Sequence, residues 1–531
     1  MLRSRFKKCY RGAPKEEGPD GRSERHRAHP LERGCALTVI PAPRPFQVIR
    51  GGRILSLPTH RGEPGDILLE GDTIRAVGPP GLAAPADAEI IDARDRLLLP
   101  GLVNAHTHAH GTLGKGLAGD RWSLELLLNA NPTITAERTL EDKRLCAMLS
   151  AVEMVRKGAT ACFDLFVEFP VPTVEGVLAV AEGYRDVGLR AVVAPMISDT
   201  TLYAAIPGLL DALPEAERER LRRIQAAPTE TSLAACREIL RRWPFDRSRL
   251  RPGLGPTIPL HCSDALLAGC RDLAREWNAP LQTHLAESKV QALAGRGRYG
   301  RSLTAHLDSL GLLAPGFSAA HAIWIDADDI RRLADRGAAV AHNPLSNLRL
   351  GSGIAPAHAM HAAGVRMAIG TDGANTSDSQ SVFEALRLAA YLSRVRTGDP
   401  REWLSVDDVL TMATSGGADL LGMPRVGRIS EGQQADLVFL DLRHVSYVPL
   451  RDVTLQVVNG ESGLAIEGVM IAGRWVLRGG RMISVDEDRL RGRVAEAVER
   501  LASATQGRRE ISRALEPYLN AFCLAQSQHP L

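Results

Sequence analysis

Leu97 to Gly116 reads LLLPGLVNAHTHAHGTLGKG. An apolar run halts at Pro100-Gly101, resumes, and then sets out histidines at alternate positions: His106, His108 and His110. In an extended strand alternate side chains share a face, so His106 and His108 can point at one object. Taken alone, His-x-His is better read as a hydrophobic strand entering a polar loop with solvated imidazoles. The rest of the chain decides between the two.

Working outward, apolar strand-like runs alternate with amphipathic helical stretches from about Leu98 to Leu421. The runs are TACFDLFV, RAVVAPMI, LRPGLGPTI, APLQTHLAE, FSAAHAI, AAVAHNP and VRMAIGTDG. A helical stretch such as LEDKRLCAMLSAVEMVRKG has a polar start and a Lys-Gly end, as helix caps require. Such alternation predicts an α/β fold with a parallel sheet, and a closed barrel fits the length. Barrel enzymes take their chemistry from the C-terminal ends of strands. Here those ends carry His106 and His108, then His284 with Glu287 just beyond, then His321, then Asp372. A core histidine bonded to a carbonyl, or an aspartate in a turn, explains any one of these. Their occurrence in order at four strand ends points to a shared site, and three imidazoles with a carboxylate suit a divalent metal of zinc type.

Composition narrows the class. A content of 44% hydrophobic and 24% charged residues over 531 residues describes a globular chain with a large core. Residues 1–34 carry a net charge of +5, leaving −2 for the remainder, so no polyanion-binding face is expected. Residues 1–45 are expected to be a disordered basic tail, too acidic for a transit peptide. No apolar run approaches a membrane span. The eight cysteines form no Cys-x-x-Cys pair, so neither a thiolate metal site nor a disulfide framework is expected. A cytoplasmic protein with a small-molecule partner, without nucleic acid or membrane and with room for a homo-oligomer, follows. Short β-prone runs at residues 46–97 return at 422–485 and suggest a small sheet or sandwich. Residues 486–531 read as mostly helical.

The motifs PGLVNAHTH, THLAE, AHAIWIDADDI, AHNPLSNLRLGSGIAP and GTDGANTSDSQSVFEALRLAA resemble the amidohydrolase superfamily. The resemblance is to its branch of cytosine, chlorotriazine and S-adenosylhomocysteine aminohydrolases, and it covers about Phe46 to Gly480. It implies a distorted (β/α)8 barrel over residues 98–421 and a β-sandwich built from both ends of the domain. It implies metal ligands His106, His108, His284 and Asp372, with Glu287 shuttling protons and His321 facing the attacking water and substrate. By the same resemblance Asp372 shares in catalysis, and Glu287 and His321 contact substrate. His110 has no family role, and His342 braces a loop.

Many relatives bridge two metals with a modified lysine on the fourth strand. None of the seven lysines lies in LRPGLGPTIPL, so one divalent ion per chain is expected, with zinc ahead of iron or manganese. The activity implied is removal of ammonia or an amine from an N-heterocycle, cyclic amidine or guanidine. Alternatives are hydrolysis of a cyclic amide or of a non-amine leaving group at the same site, or a barrel without activity. Nucleoside-deaminating relatives hold their substrate with a glutamate and a histidine at positions where this chain has Thr135 and Thr257. Trp122, in GLAGDRWSLELLLNANP, is a candidate pocket wall for a flat ring. That segment also reads as an amphipathic helix packed on the barrel.

Overall fold

The computed structural model describes residues 42–530, so most of the basic tail lies outside the described residues. The chain first lays down β1 (Phe46–Ser56), β2 (His60–Glu70), β3 (Thr73–Gly78), β4 (Glu89–Asp92) and β5 (Arg96–Pro100). Gly101 follows, its N–H donating to Asp436 O (2.9 Å).

The chain then enters a run of parallel strands separated by helices. These are β6 (Leu102–His108), β7 (Ala159–Val167), β8 (Arg190–Ile197), β9 (Leu250–Pro252), β10 (Gly255–Pro256), β11 (Leu281–Leu285), β12 (Phe317–His321), β13 (Ala339–His342), β14 (Arg366–Ile369) and β15 (Asp372–Gly373). The first quoted motif therefore divides: Leu97–Pro100 belong to one sheet and Leu102–His108 to another. β16 (Leu437–Asp441), β17 (Ile466–Ile471), β18 (Arg474–Arg478) and β19 (Arg481–Met482) return to the first sheet. Helices Glu487–Ala504 and Gln506–Ser527 end the described chain.

The nine-stranded sheet runs β19-β18-β17-β16-β5-β1-β2-β3, with β4 also on β1. Residues from both ends of the chain share its core, among them Ile49, Ile67, Leu98, Leu437, Phe439 and Met470. A six-stranded sheet (β10-β8-β7-β6-β15, β9 on β8) and a four-stranded one (β11 to β14) form the TIM-barrel-like α/β part. An isolated bridge joins Leu254 to Leu281 between them. The parallel strands are buried almost throughout, as in β7. This is why they read as continuous apolar runs rather than alternating ones.

Caps fix the helices. Thr139 and Asp142 form a reciprocal capping box before Leu140–Arg156, and Gly158 takes a left-handed φ of +82° beyond its end. Two buried polar residues tie the two sheets together: Arg190 on β8 donates to both oxygens of Asp436 (2.7 and 3.0 Å) and to Gln434 Oε1 (2.8 Å). Among the described residues no helix is long and apolar enough to cross a membrane.

Candidate active site

β6 does not present its histidines by simple alternation. Its register against β7 slips between Asn104 and Thr107, where Ala105 and His106 face Phe163 alone, which is a β-bulge. Bulges re-aim side chains beside functional sites. Asn104 bonds Thr371 Oγ1 (2.7 Å) and Met154 Sδ (3.5 Å), while His106 within the bulge and His108 just past it converge with ring centroids 4.7 Å apart. The last strand reaches the same spot because Gly370 breaks it. A Cβ there would sit 2.9 Å from His106 Cβ and 2.1 Å from Asn343 Oδ1, so only glycine allows the approach. Backbone strain gathers at this rim: His321 (φ +70°), Asp372 (φ +61°) and Ala286 (φ +46°) all sit in the left-handed region.

His106, His108, His284 and Asp372 offer four ligand atoms within 4.8 Å of one another, all buried. Their outer hydrogen bonds fix which nitrogen faces inward. His106 Nδ1 donates to Gln282 Oε1 (2.7 Å), and Gln282 is locked in that orientation because its own amide donates to Ala105 O and Ser318 Oγ. His108 Nδ1 donates to Leu165 O (2.7 Å), and His284 Nδ1 donates to Thr257 O (2.5 Å). With each Nδ1 proton committed, three Nε2 lone pairs turn inward. His108 Nε2 and His284 Nε2 lie 3.1 Å apart, and Asp372 Oδ1 is 3.1 Å from His108 Nε2 and 3.4 Å from His106 Nε2. The buried His106 Nε2 has no hydrogen-bond partner.

Converging acceptors repel unless a cation sits among them, and this donor set fits a divalent metal ion. Burial pushes His106 and His284 toward the neutral, ligating form. Burial also acts against charge on His108, but Asp372 overrides it and raises that imidazole, so in the protein alone a proton competes for the cation's place. Burial works against charge on Asp372, but His106 and His108 beside its Oδ1 hold the carboxyl well below the usual range, and Ser346 Oγ donates to its other oxygen (2.6 Å).

Glu287 and His321 flank this cluster, with Glu287 Oε2 3.6 Å from His321 Nε2. Burial, then the neighbouring Asp372 and Glu125 carboxylates, raises Glu287 well above the usual carboxylate range. Burial lowers His321 to about 4, so it is neutral. Its Nδ1 donates to Asn347 Oδ1 (2.8 Å), which leaves Nε2 as an acceptor.

A cleft of about 500 Å³, counted out to open solvent, leads to these groups. One wall is the helix Leu124–Thr135, through Leu124, Leu127, Leu128 and Asn131, and Met196 and Ile258 add further apolar surface. Thr257 and His110 line it as well. Trp122 is not among its lining residues. The indole, just before the wall helix, packs with Leu126, Leu209 and Leu519 and also against the lining residues Leu124 and Leu127. Thr135 spends its hydroxyl on Asn131 O (3.0 Å). His342 is buried at the end of β13, outside the ligand cluster. Asn375 and Thr376, which the sequence reading did not single out, complete the lining. Their place directly after Asp372-Gly373 was the available signal.

Residues 97–476 match the amidohydrolase family. The chain belongs to that family. It is 34% identical over 449 residues to a 5-methylthioadenosine/S-adenosylhomocysteine deaminase of Syntrophobacter fumaroxidans, covering 83% of this chain and 95% of the relative. It is 31% identical to a 5'-deoxyadenosine deaminase of Methanopyrus kandleri, covering 77% and 87%. Among solved structures it resembles a zinc-bound adenosine deaminase from Xanthomonas campestris (TM-score 0.76, 29% identity, 87% of this chain and 100% of that one). It also resembles an atrazine chlorohydrolase from Arthrobacter aurescens complexed with zinc (TM-score 0.75, 26% identity, 85% and 99%). This family member is a metal-dependent hydrolase of carbon–nitrogen bonds other than peptide bonds, and its substrate is a small molecule.

Proposed function

We propose that this amidohydrolase deaminates an aromatic N-heterocycle, with the 6-aminopurine of a nucleoside as the first candidate, using one zinc ion held by His106, His108, His284 and Asp372. The observation that carries the reading is the convergence of three Nε2 lone pairs on one carboxylate beside a buried Glu287. A zinc ion in such a site makes water acidic enough to lose a proton near neutral pH. Glu287 takes a proton from the attacking water and delivers it to a ring nitrogen, then takes the second proton from the newly bonded hydroxyl and delivers it to the departing amine. A carbon–oxygen bond forms, the carbon–nitrogen bond breaks, and ammonia leaves. Asp372, fixed by Ser346, assists the first deprotonation. His321, neutral and with Nε2 as acceptor, orients the attacking water by accepting its hydrogen bond.

A second reading keeps the chemistry and changes the substrate. Thr135 and Thr257 stand where nucleoside-deaminating relatives are expected to have a glutamate and a histidine, and much of the cleft wall is apolar. Both favour a smaller heterocyclic amine such as a triazine. Ammonia release by zinc-loaded protein, measured on 5'-deoxyadenosine, methylthioadenosine, adenosine, cytosine and an aminotriazine, separates the two. Ammonia from none of them removes the deaminase reading.

The same reading closes β6 to β15 into a distorted (β/α)8 barrel over residues 98–421, supported by the Leu254–Leu281 bridge and by β15 pairing with β6. It folds residues 46–97 and 422–485 into a small β-sandwich, supported by their shared core. A cytoplasmic setting agrees with cysteines that are free among the described residues.

A further inference from the structure

Glu125 opens the helix Leu124–Thr135 and is 2% exposed. Among the described residues its hydrogen-bond partners are two neutral donors, Ser288 Oγ at 2.6 Å and Cys523 Sγ at 3.6 Å. A carboxylate removed from water without a cation is expensive, so what it holds in place matters. The chain of hydrogen bonds has a forced direction. Gln291 N–H donates to Ser288 Oγ (3.1 Å), so the single hydroxyl proton of Ser288 goes to Glu125. Gln291 then turns its side-chain oxygen to accept the backbone N–H of Glu287 (2.9 Å). The residue before Glu287, Ala286, is in the left-handed region, a conformation that persists only where surroundings enforce it.

The other end of the chain of bonds is anchored outside the family-matched segment. Cys523 belongs to the helix Gln506–Ser527, whose Leu515 and Leu519 pack with Leu126, and whose Ser512 accepts from Asn129 Nδ2 (3.0 Å). The C-terminal helix thus backs both the pocket wall and Glu125.

We propose that Glu125 is a positioning residue for Glu287, acting through Ser288 and Gln291, and that the C-terminal helix holds Glu125 in that position. The inference rests on the reading of Glu287 as proton shuttle. The test uses the zinc-loaded full chain with Glu125→Ala, Glu125→Gln, Ser288→Ala and the Glu125→Ala/Ser288→Ala double variant, assayed on the panel compound that releases ammonia fastest. Glu125→Ala is expected to lower kcat about 10-fold, the scale of loss when an outer partner of a site is removed, with KM and zinc content little changed. Glu125→Gln is expected to restore most of it, because its amide oxygen still accepts from Ser288. The double variant should be no worse than the poorer single one, as for residues acting in one chain. Amide hydrogen exchange in the same variants adds a readout that needs no substrate: exchange at Glu287 should quicken in Glu125→Ala and recover in Glu125→Gln. Unchanged exchange, additive losses, or a glutamine variant as poor as alanine overturns the inference. Normal turnover in Glu287→Gln instead overturns the role given to Glu287, and exchange still judges the positioning.

Discussion

Two buried polar clusters in this molecule obey opposite rules. At the junction of the sheets, Arg190 and Asp436 are both almost fully buried, and the guanidinium is met by two carboxylate oxygens, Gln434 Oε1 and Ser248 O (3.0 Å). Asp436 Oδ1 also takes the Ala472 N–H (2.8 Å). Every charge is answered within the chain. At the rim, His106, His108, His284 and Asp372 are also buried, yet while their outward-facing atoms are satisfied, the inward-facing Nε2 atoms and Asp372 Oδ1 meet only one another, and His106 Nε2 has no partner. Burial alone therefore does not distinguish a structural cluster from a chemical one. What distinguishes them is whether the donors and acceptors balance.

The comparison breaks most visibly at the rim. Replacing His106 and His108 together by alanine should abolish both metal content and turnover, measured by elemental analysis and ammonia release. Full metal occupancy in that variant would end the site assignment. At the junction, Arg190→Met leaves Asp436 charged and buried with the Ala472 N–H but without its cation, which should destabilise the fold by about 3–5 kcal/mol. Denaturant unfolding reads the loss, and metal bound per folded molecule should not change. Next comes Glu287→Gln, expected to keep its metal while turnover falls ~10²-fold. Metal loss there would make Glu287 a ligand. Gln282→Leu removes the acceptor that fixes His106 and should weaken metal affinity about 10-fold, at the lower end for such partners; competition with a chelator measures it.

The smallest effect concerns acid. Burial lowers His342 to about 4 against a reference of 6.5. Between those values the unfolded chain binds the proton and the folded chain does not, so stability falls as pH drops below 6.5. By pH 5.5 the contribution is about 1 kcal/mol, and His342→Gln should show a correspondingly shallower acid slope. An identical slope would mean that His342 charges inside the fold.

Much of this was legible in the sequence because strand ends and metal-ligand residue types are both written in it. The parallel strands announced themselves as apolar runs, and His106, His108, His284, His321, Glu287 and Asp372 stood at or just past their ends. The atoms that aim those residues were not legible. Leu165 O and Thr257 O are backbone carbonyls, which carry no side-chain identity, and Gln282 reads as one polar residue in a strand. The pocket wall illustrates a different limit. An aromatic residue suggested Trp122 as its face, but Leu124, Leu127 and Leu128 line the cleft, and the indole, which precedes the helix, packs against Leu124 and Leu127 and against the cluster that includes Leu519 of the C-terminal helix. Both readings of that segment describe part of the outcome: it is a packed helix, and its other side is a wall.

The bulge in β6 makes this chemistry a matter of counting. Between Asn104 and Thr107 the strand carries one residue more than its neighbour needs. Deleting Ala105 would leave Thr107 opposite Asp164 and introduce no clash of charge, yet it would draw His106 into ordinary pairing opposite Phe163 and remove the bend that aims its ring. A chain with the same histidines and one residue fewer before them would keep the motif to the eye and lose that aim, which makes the interval from Asn104 to Thr107 as much a part of the centre as the imidazoles themselves.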